Sequence, residues 1–114
     1  MFPTTIQTTS QTSTPANVKI FETTNGNKLG PCEPSIFINP KKPNQLVAGS
    51  VIDFVHRSMD GGKTWKTQQL KSTLGIWGDP VITADKNGTF YYFHLSDPEG
   101  TNWSSSKILD QIVV

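Results

Sequence analysis

Short apolar stretches rich in β-branched and aromatic residues recur along this chain, separated every few residues by polar turns carrying glycine or proline. That pattern predicts strands at 18–23, 35–39, 45–51, 54–58, 64–70, 81–84, 89–95 and 108–114, an all-β chain with elements short enough for four-stranded units. Two stretches also resemble each other. Glu33-Pro34-Ser35-Ile36-Phe37-Ile38-Asn39 and Asp79-Pro80-Val81-Ile82-Thr83-Ala84-Asp85 both open with an acid and a proline, at an offset of 46 residues. Each then passes through a lysine and an asparagine (Lys42 and Asn44; Lys86 and Asn87) into an apolar strand, Leu46-Val47-Ala48 or Phe90-Tyr91-Tyr92-Phe93.

Between the predicted strands 54–58 and 64–70 lies Ser58-Met59-Asp60-Gly61-Gly62-Lys63-Thr64-Trp65, which fits S-x-D-x-G-x-T-W at every fixed position. The chemistry of such a turn follows from its residues. A carboxylate at Asp60 accepts backbone N–H groups of the hairpin, and charge-assisted bonds of this kind are worth roughly 1.5–3 kcal/mol. Gly61 and Gly62 permit positive φ angles. Ser58 and Thr64 bring hydroxyls that tie the two arms together, and Trp65 brings a large apolar surface. This segment resembles the Asp box, or BNR repeat, of sialidase-like β-propellers. A repeat of 40–50 residues with several strands per unit agrees with the blades of such a fold.

The resemblance implies a partial β-propeller. The first blade has strands 35–39, 45–51, 54–58 and 64–70, and three strands of the next lie at 81–84, 89–95 and 108–114. Strand 18–23 resembles an N-terminal strand that closes the ring of a six-bladed parent, with residues 1–17 as a Thr/Ser/Gln/Pro-rich leader. The chain is thus expected to be an N-terminal fragment of a longer protein. In sialidase-like propellers the Asp box is a stabilising hairpin on the side away from the substrate. Ser58, Asp60, Gly62, Thr64 and Trp65 are therefore expected to be structural. Strand direction sends Glu33, Asp53, Trp77, Asp79, Asp97, Glu99 and Trp103 to the opposite end, the mouth. Carboxylates beside tryptophans suit a sugar site, where acids transfer protons and aromatic faces stack on pyranose rings. Asp79, in Gly75-Ile76-Trp77-Gly78-Asp79-Pro80, is the first choice for a catalytic acid.

Composition narrows the classes. Ten Lys plus Arg against nine Asp plus Glu leave no basic field for a phosphate backbone, so nucleic acid is not an expected partner. Apolar runs such as 90–93 and 112–114 fall far short of the roughly 20 residues of a membrane helix. Cys32 is the sole cysteine, and His56 and His94 stand apart on separate strands, so neither a disulfide, a metal site nor a cofactor is expected. Residues 1–16 show no basic start or apolar stretch of a secretion signal, although the resemblance implies an extracellular or periplasmic parent. Known sialidases hold the substrate carboxylate with three arginines, and use a tyrosine–glutamate pair with an aspartate acid/base. Arg57 is the only arginine here, and it adjoins the box. The chain alone is therefore expected to be inactive scaffold of an exo-sialidase-type glycoside hydrolase, completed by the missing blades. Two alternatives remain at this point: a non-catalytic propeller binding sugar or protein, and a self-assembling two-blade unit in which a complete chain forms a homo-oligomer.

Overall fold

The computed structural model describes residues 15–23, 30–97 and 112–114. Among them there is no helix; seven strands form two antiparallel sheets. The first sheet has the order β1 (Ser35–Ile38), β2 (Leu46–Ser50), β3 (Phe54–Ser58), β4 (Lys66–Gln69), and the second β5 (Val81–Ala84), β6 (Phe90–Leu95), β7 (Ile112–Val113).

The turns explain why these strands stop where they do. At the foot of β1, Asn39 Oδ1 accepts the N–H groups of Lys41 and Lys42 at 2.9 and 3.2 Å, an Asx turn that reverses the chain into β2. At the foot of β5, Asp85 Oδ1 does the same for Asn87 and Thr89, at 2.8 and 2.9 Å. These are the last residues of the two repeated heptads. Their first residues match as well: Glu33 and Asp79 have φ of 48° and 47°, in the left-handed region that side-chain-bearing residues rarely adopt. Just before each acid a carbonyl accepts an N–H at the end of the second strand, Cys32 O from Val51, one residue past β2, at 3.1 Å and Gly78 O from Leu95, the last residue of β6, at 3.2 Å. The 46-residue repeat in the sequence is thus a repeat in three dimensions.

Registers agree with it: Ser35 faces Gly49 and Ile36 faces Ala48 in the first sheet, while Val81 faces Phe93 and Ile82 faces Tyr92 in the second. The Asn39 turn is two residues longer, so β1 maps onto β5 at +46 and β2 onto β6 at +44. The sheets pack where Gly49 leaves room. A Cβ there would lie 2.8 Å from both Pro80 Cβ and Tyr92 Cε2, and 3.3 Å from Ile82 Cδ1. Ser35 Oγ accepts the Ile82 N–H at 2.9 Å, and Val51 packs against Gly78. Ile82, Val51, Val55 and Ala48 are the buried apolar residues of a small core.

Two expectations change. Residues 18–23 carry no strand ladder; instead Phe21 lies against the opposite face of the first sheet, its ring 4.9 Å from Phe54 and 5.4 Å from His56. Strand propensity needs a partner edge, and none meets this segment among the described residues. Of the stretch 108–114, β7 occupies Ile112–Val113, and 108–111 lie outside the described residues. Val113 faces His94 as Phe54 faces Ser50, so β7 is the counterpart of the start of β3.

Candidate functional site

The turn between β3 and β4 is built as its residues demand. Asp60 Oδ1 accepts the Thr64 N–H at 2.9 Å, and Oδ2 accepts the Thr64 hydroxyl at 2.6 Å. Ser58, 1% exposed, donates its hydroxyl to Asp60 Oδ1 at 2.8 Å and accepts the Gly62 N–H at 2.8 Å. Gly61 and Gly62 take φ of 76° and 88°. The Thr64 hydroxyl, the Thr64 N–H and the Ser58 hydroxyl, in that order, hold the Asp60 carboxyl down at about 2. Trp65 is half-buried, and its indole N–H donates to Gly62 O at 2.9 Å, so it closes the turn itself as well as covering apolar surface. Asn44 clamps the hairpin to the neighbouring β1–β2 turn, donating from Nδ2 to Met59 O at 3.0 Å while its carbonyl accepts the Gly61 N–H at 2.9 Å. Both carboxylate oxygens of Asp60 are engaged by donors of the turn itself. The hydrogen bonds tie the hairpin to itself and to the β1–β2 turn.

A hollow of about 610 Å³ opens beside the box between Arg57, Met59, Asp60, Thr64, Lys66 and Gln68. Arg57 is exposed there, its Nη2 donating to Gln68 Oε1 at 2.6 Å across β3 and β4. The Arg57 guanidinium is thus engaged in a strand pair on this side, with Lys66 opposite it in the β3–β4 register.

At the other end of the strands the chain brings together the 51–53 turn, the 70–80 connector and the segment after β6. Asp53 is partly exposed; its Oδ2 accepts Gln69 Nε2 at 2.7 Å and its carbonyl accepts the Leu70 N–H, so it fastens β3 to β4. Its carboxylate also bears on Tyr92, whose hydroxyl is pushed up to about 12, first by burial and then by that charge. The Trp77 N–H donates to Leu95 O at 2.9 Å, which fixes the connector over the end of β6, and the indole is half-buried. Glu33 and Asp79 are both exposed, at matching places of the two units.

Asp97 departs from the expectation of a mouth-facing acid. It is 1% exposed beside Ser96 at 0%, so its carboxylate is turned into the protein. Trp103 and Glu99 lie outside the described residues. Among the described residues, no group of three or more His, Cys, Asp or Glu side chains is placed to hold a metal ion. Cys32 is a free, exposed thiol. No described helix is long and apolar enough to cross a membrane.

His56, on β3, ties three strands together. Its Nε2 pairs with Ser50 Oγ on β2 at 2.9 Å, and its Nδ1 with Thr67 Oγ1 on β4 at 2.8 Å. Burial pushes its pKa below the usual imidazole value. Ser50, at 4% exposed, is shielded from a substrate, and Thr67 carries no charge to hold an imidazolium, so the trio is structural. The only sequence signal for it was the alternation that places Ser50, His56 and Thr67 on one face.

No family model, no curated protein and no solved structure matches this chain.

Proposed function

We propose that the two sheets are neighbouring blades of an Asp-box β-propeller, and that they serve as scaffold for a mouth that acts on glycans, as in a glycoside hydrolase of exo-sialidase type. The observation that carries the reading is the complete, internally bonded box at the β3–β4 turn, joined to a repeat in which Glu33 and Asp79 occupy one backbone position at the opposite end. Propellers that resemble this one keep their boxes away from the substrate, so the acid–proline end is the mouth. Sugar hydrolysis there needs one carboxyl group to protonate the glycosidic oxygen and another to stabilise or attack the anomeric carbon. Asp79 is the exposed acid assigned to that end, with Trp77 beside it to define the wall. The arginines that would grip a sugar carboxylate come from other blades, since Arg57 stands at the box end.

A second reading, a propeller that binds glycans without cleaving them, is favoured by the engagement of the other acids. Asp53 is tied to Gln69, and Asp97 is buried. Saturation-transfer NMR with a panel of sialylated and neutral oligosaccharides separates the readings, run beside release of a fluorescent aglycone from the matching glycosides. Binding that Asp79→Asn weakens at least tenfold, together with aglycone release by the ring-completed protein, supports the hydrolase. Binding without release supports the second reading, and no saccharide signal at all sinks both.

A further inference from the structure

We infer that the box end of the two sheets docks on an anionic lipid surface, with lysines on three neighbouring turns meeting the headgroups and Met59 entering between them. Charge is sorted along the strands. At the box end stand Lys41, Lys42, Arg57, Lys63, Lys66 and Lys86, all exposed. The acids there are Asp60 and Asp85, and both hold their own turns. At the other end the described charges are Glu33, Asp53, Asp79 and Asp97 against Lys71, while Lys19 and Glu22 pair with each other at 2.6 Å. A chain with a net charge of +1 thus has one positive and one negative end.

Hydrogen bonds between turns gather the lysines into one surface. Asn44, in the turn that carries Lys41 and Lys42, donates to Met59 O at 3.0 Å, and its carbonyl accepts the Gly61 N–H at 2.9 Å. Both bonds set that turn against the box and its Lys63. Asn39 Nδ2 donates to Gly88 O at 3.4 Å, which brings in the β5–β6 turn and its Lys86. Within the box, Met59 is 62% exposed. A soluble polyanion has use for the lysines alone, whereas a bilayer takes both, the ammonium groups at its headgroups and the thioether chain at the acyl boundary. Lysine, a mobile point charge, suits a diffuse layer of headgroups more than a fixed bidentate partner. The same surface repels the acids, so the charge separation selects the end that docks. Blades added beside these sheets lie along their faces and leave the turn end open. The inference does not rest on the sugar reading.

Co-sedimentation of the full chain with sucrose-loaded vesicles tests this, comparing phosphatidylcholine alone with phosphatidylcholine that contains one-third phosphatidylserine. A lysine near an anionic leaflet contributes roughly fivefold, so four of them put half-binding at lipid concentrations on the order of 1 mM. Binding to the mixed vesicles is expected in that range at low salt, at least tenfold weaker on phosphatidylcholine alone, and lost as added salt screens the charges. Lys63→Gln and Lys86→Gln are each expected to weaken it about fivefold, and Met59→Ser several-fold. Lys71→Gln, at the opposite end, is expected to leave it unchanged. All four positions are exposed, and circular dichroism checks that each variant keeps the wild-type strand signal. Four results would overturn the inference. They are no preference for the mixed vesicles, a Lys71→Gln variant as weak as Lys63→Gln, a Met59→Ser variant that binds like the wild type, and binding to heparin without binding to vesicles. The last would assign the lysines to a sulfated polysaccharide in solution.

Discussion

Asp60 shows how much a single carboxylate organises. It accepts from Ser58 and twice from Thr64, and these donors hold its pKa at about 2 against an ordinary 3.8. The folded value lies below the unfolded one, so the stabilisation is complete above pH 3.8 and is lost as pH falls through 2. Asp85, lowered by the N–H of Thr89 first, loses its contribution in the same direction. Asp60→Asn is expected to lower the melting temperature at neutral pH and to flatten its decline under acid. Thermal melts from neutrality to about pH 2 check this, and an unchanged acid decline in the variant would contradict it. Gly88 gives a second prediction: with φ at 88° and a Cβ that would fall 2.6 Å from Asn39 Oδ1, Gly88→Ala strains the backbone and displaces the β1 turn. We expect a loss of about 1–3 kcal/mol in urea unfolding. The box was legible in the sequence because five fixed positions in eight each answer a local demand. The burial of Asp97, at 1% exposed, is recorded by no local pattern in the sequence.

At the scale of elements, β1 to β6 were legible to within one or two residues at their ends, since hydrogen-bond ladders fray where turns take over. Residues 18–23 have the β-forming composition but carry no ladder among the described residues, and Phe21 stacks on a sheet face. Side-chain ties between strands were less visible, and His56 is the main case. With Ser50 and Thr67 bonded to its two nitrogens, the ring joins β2, β3 and β4, and burial favours the neutral form. Its folded pKa is depressed, so the native state resists a proton that the unfolded chain accepts. Stability is full above the ordinary imidazole value of 6.5 and falls as pH drops through the folded pKa. The urea midpoint is therefore expected to be lower at about pH 5 than at neutral pH, by an amount that His56→Gln largely removes. A variant that keeps the whole pH dependence would place the titrating group elsewhere.

The whole molecule depends on one seam. Its buried apolar residues are few (Ala48, Val51, Val55 and Ile82), and neither sheet alone encloses a core. What couples the sheets is the absence of a side chain at Gly49, where Pro80 and Tyr92 come within 2.8 Å of the site a Cβ would occupy. Pro80 is a rigid ring on the backbone and cannot swing aside, so Gly49→Ala must push the second sheet away or bend β2. Overpacking of this kind costs about 1–3 kcal/mol. The cost falls on the contact between the sheets and spares the ladders within them. The wild type is therefore expected to unfold in one transition, with the amide signals of Val55 in the first sheet and Tyr91 in the second disappearing together in a urea titration followed by two-dimensional NMR. In Gly49→Ala the Tyr91 signal is expected to be lost at lower urea than that of Val55, because the three-stranded sheet lacks a fourth strand and a box among the described residues. Loss of both signals at one lowered midpoint would instead mean that the sheets are coupled through β1 and Ser35 strongly enough to fall together. The seam would then reside in the Ser35–Ile82 hydrogen bond as much as in the close approach at Gly49.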